Sequence, residues 1–244
     1  MNSKNTLKPN FKVFWDGQDN SGHTFNSIDW YKKYAEEMAP YFSKRDIVLD
    51  CGCGSGEMIT SAAKYFNKII GVDFSQSMLD KANQFIDLNN IENIELICAN
   101  LTDIDKYSKQ KVNGIYNNGV LQYIHFDEAL IFLKKAKSQL LDGGEIIFFN
   151  VPNIKYLELY GLRVFHEEEI VNPFSLLKKH VKLSKDIFKE KIKNKNFIYD
   201  AGIGYWYSVK DFKELAKLSG LKVEIFASKF LHYAYRMHAK FTLL

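Results

Sequence analysis

Cysteine, proline and long apolar runs are all scarce in this chain, and each scarcity closes off a class of protein. Its 244 residues hold three cysteines (Cys51, Cys53 and Cys98) and four prolines. An odd, sparse cysteine set does not build the disulfide framework of a small secreted domain and fits a reducing compartment. Cys51 and Cys53 are spaced C-x-C with no second pair or histidine cluster nearby, which argues against a structural zinc site. Four prolines and fourteen glycines are too few for a linker-rich or collagen-like assembly. No apolar run approaches the roughly 20 residues that cross a bilayer. The opening from Met1 to Asn10 is polar and lacks the apolar centre of a secretory signal. A cytoplasmic chain with no membrane span is therefore expected. What is present is the composition of a soluble globular protein, 46% hydrophobic and 25% charged. The length suits one domain with room for an insertion.

The net charge of +4 is unevenly spread. Residues 178–195 hold eight lysines against Asp186 and Glu190, a local +6, so the remainder sums to −2. One basic segment on an acidic chain suggests an anionic small molecule or partner; the alternative is a solvated helix face. With the rest net acidic and no RNA-binding module evident, nucleic acid is disfavoured. The sequence carries no signal for oligomeric state.

Strand and helix patterns alternate through the middle of the chain. Apolar runs at 46–50, 68–74, 94–99, 114–118 and 145–151 read as buried strands. Helical patterns at 57–66, 75–88 and 126–141 lie between them. Such alternation argues a doubly wound, mostly parallel sheet covered on both faces. Near the end, Ser208 and Asp211 resemble a capped helix start, and Gly220 sits where a helix-ending glycine would. The segments 221–228 and 235–243 have no helix between them and are expected to pair antiparallel. The predicted fold is α/β and Rossmann-like, with seven strands, the last antiparallel. The stretch 154–207 is too long for a loop and reads as an inserted helical cap. The predicted units are an aromatic, helical N-terminal segment (1–45), a core (46–153 with 208–244) and this cap. A helix over 29–42 is expected to pack on the sheet edge.

The chemistry is concentrated in Asp50-Cys51-Gly52-Cys53-Gly54-Ser55-Gly56, directly after a strand and before a helix. Glycines let the chain turn sharply and bring backbone N–H groups against a ligand. The dinucleotide pattern G-x-G-x-x-G fails, because its third glycine would fall on Glu57. An acid at the strand end suits a cationic amine and opposes a pyrophosphate, which favours S-adenosylmethionine over NAD. Asp73 lies seventeen residues beyond Gly56, at the end of the second strand. There an acid can accept both hydroxyls of a ribose.

Together these segments resemble the class I S-adenosylmethionine-dependent methyltransferases, of the small-molecule type. IVLDCGCGSGEM (47–58), GVDFSQSML (71–79), CANLTDI (98–104), GIYNNGVLQYIHF (114–126) and LLDGGEIIFFNVPN (140–153) match the family's motifs in order. The resemblance implies that Gly52 and Gly54 pass under the methionine portion of the cofactor and that Asp50 meets its amino group. It places Asp73 at the ribose and Phe74 and Met78 along the adenine. Asn100, followed by Leu101, stands where the family often has an acid for the adenine amine, and Asn117 ends the fourth strand. The chain lacks the N-P-P-Y run of base-amino methyltransferases. It also lacks the carboxylates that hold Mg²⁺ in the catechol type, so no metal is expected.

The implied reaction is O-methylation of a small acceptor. A sugar, nucleotide-sugar or phosphate-bearing intermediate of bacterial surface polysaccharide suits the basic segment. An alcohol acceptor requires a base, for which His125 ranks first, followed by His166 and His23; an ionised oxygen requires none. Methylation of RNA or protein, or a catalytically silent cofactor-binding module, are the other readings left open.

Overall fold

Seven of the apolar segments join one twisted sheet. The computed structural model describes residues 27–161, 198–200, 204–229 and 234–244. The chain opens with α1 (Ile28–Met38), then β1 (Ile47–Cys51), α2 (Glu57–Ala62), β2 (Lys68–Asp73), α3 (Gln76–Leu88) and β3 (Ile94–Cys98). It continues through α4 (Ile104–Tyr107), β4 (Val112–Asn118), α5 (Phe126–Ala136) and β5 (Leu140–Pro152). After α6 (Leu157–Gly161) comes a separate ribbon of β6 (Ile198–Asp200) and β7 (Gly204–Trp206). Last are α7 (Val209–Ser219), β8 (Leu221–Ala227) and β9 (Arg236–Leu243).

The sheet order is β3-β2-β1-β4-β5-β9-β8. Strands β1 to β5 pair in parallel, and β9 runs antiparallel to both β5 and β8. After β3 the chain returns to the other side of β1, so the order reverses between β1 and β4. That reversal opens a crevice at the carboxyl ends of the strands, where ligands of doubly wound sheets bind.

Both faces of the sheet are covered. On one, α5 and α7 bury Phe132, Leu133, Phe212 and Leu215 against Ile115, Phe148 and Phe241. Each such side chain contributes about 1.5–3 kcal/mol by leaving water. On the other, α1 buries Tyr31, Tyr34, Ala35 and Met38 against Val48, Ile59 and Phe149. The N-terminal helix thus packs on a face of the sheet rather than on its edge. Its amphipathic stripe of aromatics needs a broad apolar surface, which the edge strands do not offer.

Helix ends follow local chemistry. Ser75 Oγ accepts from Met78 N (3.4 Å) to start α3. Ser208 and Asp211 form a reciprocal capping box at α7, which Gly220 ends in the left-handed region. The helical pattern over 126–141 stops early. Helix α5 ends at Ala136, a single 3-10 turn follows, and Leu140 already belongs to β5, paired with Val112. Burying Leu140 (2% exposed) in the sheet takes precedence over extending the helix, and the pairing slips between Val112 and Gly114.

The ribbon β6–β7 locks onto the loop after β4. Tyr207 Oη donates to Ile124 O (2.6 Å), Tyr207 N donates to Pro152 O (2.9 Å), and Ile154 N donates to Tyr207 O (2.9 Å). Gly204 has φ +107°, and a Cβ there would lie 2.2 Å from Gln122 O. Gly204→Ala is therefore expected to cost about 2–5 kcal/mol, from backbone strain plus overpacking. A thermal melt within error of the parent would show that the ribbon yields. The aromatic N-terminal residues 11–25 and the lysine run 178–195 lie outside the described residues.

Candidate functional site

The crevice at the order reversal is a cleft of about 590 Å³. Of the nominated cofactor residues, Asp50, Gly52, Gly54, Asp73, Phe74, Met78, Asn100 and Leu101 all line it. They come from the ends of β1, β2 and β3 and from the start of α3, and the parallel order brings these ends together. Gly52 has φ +92°, and a Cβ there would sit 2.5 Å from a methyl of Val120. Only glycine lets the first loop pass so close beneath the second.

Asp50 is 1% exposed, and neither carboxylate oxygen makes a hydrogen bond of ordinary geometry. Burial pushes its carboxyl up to about 7; the Tyr116 hydroxyl lowers it, and the Asp73 charge raises it further. A buried, unbonded acid is costly unless a donor arrives. A cationic amine in the cleft supplies that donor, so the residues present fit the amino group of S-adenosylmethionine.

Asp73 already does structural work. Its Oδ2 accepts from Gly54 N (3.0 Å) and its Oδ1 from Ser75 N (2.9 Å). One carboxylate therefore pins the glycine turn and the start of α3 while lining the cleft. Asn100 Oδ1 accepts from Thr102 N (3.0 Å) and from Thr102 Oγ1 (2.9 Å). Both lone pairs of that oxygen are engaged, so it has none left for an adenine amine.

Two nominated residues stand elsewhere. Asn117 is fully buried with neither side-chain amide atom bonded, and it does not line the cleft; its neighbour Asn118 does. Successive strand residues face opposite sides, so only one of the two can reach it. His125 also does not line the cleft. Its Nδ1 accepts from Asp127 N (3.3 Å), its backbone N donates to Glu128 (2.9 Å), and its ring packs edge-on against Tyr205. It serves as the N-cap of α5. His23 and His166 lie outside the described residues, as do His180 and His232. No histidine among the described residues lines the cleft. His238 is buried in β9, where burial and the neighbouring Arg236 push its imidazole down to about 4.

The remaining wall was not read from the sequence. Tyr31 of α1 and Asn118, Tyr123 and Glu128 around the β4 loop complete the cleft. Adjacency of Asn118 to a nominated residue was a usable signal. For Tyr31 there was none, because a long-range packing contact sets its place.

A family profile described as a methyltransferase domain matches residues 48–144. A provisionally named methyltransferase of Dictyostelium discoideum is 29% identical over 125 residues, 51% of this chain and 44% of that protein. The chain spans less than half the length of the first curated relatives it matches. Among solved structures, the CcbJ methyltransferase of Streptomyces caelestis superposes with a TM-score of 0.59 at 16% identity, covering 90% of this chain and 97% of that one. An S-adenosylmethionine-dependent methyltransferase of Clostridium acetobutylicum gives 0.58 at 15% identity, covering 90% and 93%. At such identities the structures speak for the fold, and the motifs and the matched domain speak for the rest. Residues 48–144 therefore match a methyltransferase domain, on a fold shared with S-adenosylmethionine-dependent methyltransferases, and S-adenosylmethionine is the cofactor expected of it.

Proposed function

We propose that the protein transfers a methyl group from S-adenosylmethionine to an oxygen of a small, anionic metabolite. The observation that carries this reading is the buried Asp50 carboxylate, which makes no hydrogen bond of ordinary geometry, in a cleft that Asp73 and the glycine turn also line. The cofactor supplies an electrophilic methyl on a sulfonium; the acceptor oxygen takes that methyl, and the C–S electron pair stays on sulfur. The chain's own residues bind and align. Asp50 holds the amino group, Asp73 the ribose, and Phe74 and Met78 flank the adenine. In this reading residues 154–207 cap the acceptor side, and the core comprises 46–153 and 208–244. The lysine excess at 178–195 supports an acidic acceptor such as a sugar phosphate or nucleotide-sugar of surface polysaccharide. Where that acceptor is an alcohol, its proton goes to a base; His125, His166 and His23 remain the histidines to mutate.

The test is labelled-methyl transfer against panels of nucleotide-sugars, phosphorylated sugars, RNA and protein. Transfer to RNA or protein alone would redirect the reading, and binding without transfer to anything would favour a silent module. No cluster of three or more metal-ligating side chains occurs among the described residues. Activity is expected to be unchanged in EDTA; loss in EDTA with recovery on adding Mg²⁺ would contradict the metal-free reading.

A further inference from the structure

The fifth strand changes phase at one residue. Ile146 and Phe148 face one core cluster, and Ile147 and Phe149 face the other. Strict alternation would turn Val151 toward the second cluster, yet it packs in the first. The change falls at Asn150, one of two non-glycine residues with positive φ (+55°) among those described. The pairing of β5 with β9 slips between Phe148 and Val151 at the same place. This is a bulge, a device that re-aims a side chain at a strand end.

Three neighbours hold Asn150 in that unusual conformation. Its backbone N donates to His238 Nδ1 (3.1 Å), and its carbonyl accepts from Arg236 Nη1 (2.6 Å). The same guanidinium nitrogen also donates to Gln122 Oε1 (3.0 Å) in the loop after β4. The side chain of Asn150, itself only 5% exposed, donates from Nδ2 to Asn118 Oδ1 (2.8 Å). Asn118 lines the cleft, and its own Nδ2 makes no hydrogen bond to the described residues. The amide of Asn118 can turn over only together with that of Asn150, whose free Oδ1 would then accept, and that exchange would leave both N–H groups of the buried Asn150 Nδ2 without an acceptor. Asn118 therefore offers the cleft an N–H donor.

The strand order says what meets that donor. On the reading above, adenine lies over the ends of β3 and β2, ribose over β2 and the amino acid over β1. The next strand end is β4, with Asn118, on the side from which an acceptor must approach. We propose that Asn118 orients an acceptor oxygen through its N–H, and that Asn150 is the positioning residue that fixes the amide this way round. The position beside Asn118 then favours binding of an oxygen over an ammonium group, whose N–H would face another N–H. This rests on the proposed cofactor placement, but the clamp between the two asparagines does not.

The experiment follows the side-chain amide signal of Asn118 by NMR, identified by its disappearance in Asn118→Asp. Acetate and methylammonium serve as oxygen and ammonium probes, each titrated into the complex with S-adenosylhomocysteine. In the parent, acetate should shift the Asn118 amide protons saturably and methylammonium should not. Asn150→Gly tolerates the same φ and removes the clamp, so the acetate shift should be lost while the melting profile is kept. Asn150→Asp accepts from Asn118 instead of donating, turns the amide over, and should transfer the response from acetate to methylammonium. A merely structural asparagine would not give that inversion. An acetate shift unchanged in Asn150→Gly, or absent in the parent, overturns the proposal. If S-adenosylhomocysteine does not bind by calorimetry, the cofactor reading has failed instead. The rigidity of the Asn118 amide in the free protein, and its loss in Asn150→Gly, still decide the clamp.

Discussion

Asp50→Asn is expected to make the free protein more stable at pH 8 and to abolish measurable cofactor binding. The carboxyl is buried, and its folded value of about 7 stands above the ordinary 3.8. Because the native state holds this proton more tightly than the unfolded chain, the unfolded chain ionises first as pH rises. Stability therefore falls between about pH 4 and pH 7 and stays lower above it. A shift of about three units corresponds to at most about 4 kcal/mol at pH 8, an amount the isosteric amide does not forfeit. At pH 4 parent and variant should melt alike. Binding runs the other way, because the ammonium of the cofactor needs the ionised acid. Parent affinity should weaken by up to tenfold per unit as pH drops below 7, with a proton released on binding. Removing the charge altogether should cost about 3–5 kcal/mol of affinity, as when one partner of a buried pair is deleted. Calorimetry between pH 5.5 and 8.5 and paired melts at pH 4 and 8 measure both. A pH-independent affinity, or an Asn variant that binds like the parent, would take Asp50 out of the amino-group site.

The core was legible because its signals are local. Apolar runs ending in an acid or glycine gave the strands β1 and β2, and the Ser208–Asp211 pair gave a helix start that the structure shows as a full capping box. Eight of the nine nominated cofactor residues share one cleft because they lie at strand ends or in the loop and first helix turn that follow them, and parallel order gathers strand ends. What was not legible depends on contacts between distant residues. Leu140 joins the sheet because Val112 is beside it, which no window around residue 140 reveals. The bulge at Asn150 exists because Arg236 and His238 come to it from 86 and 88 residues away. His125 shows a different limit. Its place at a helix start was read, but whether its ring would face the cleft or cap the helix depends on the competition of Asp127 N for its Nδ1.

Asp73→Ala should weaken cofactor binding by about 3 kcal/mol, at the upper end for loss of charge-assisted hydrogen bonds. The side chain acts twice, which is why the larger figure is expected. It is placed to accept from the ribose, and it holds Gly54 N and Ser75 N at 3.0 and 2.9 Å. Alanine leaves both backbone donors without this partner, so the glycine turn should loosen even before the cofactor arrives, with a lower melting temperature in the free protein. Asp73→Asn keeps one accepting oxygen but turns an N–H toward one of the two backbone donors. It should fall between parent and alanine. The two roles separate in a double cycle with a cofactor analogue lacking the 2′ and 3′ hydroxyls. If Asp73 holds the ribose, removing those hydroxyls costs affinity in the parent and almost nothing further in the alanine variant, since the partner is already gone. If Asp73 only braces the turn, the two losses add. Unchanged affinity in a folded alanine variant would show that neither role bears on the cofactor.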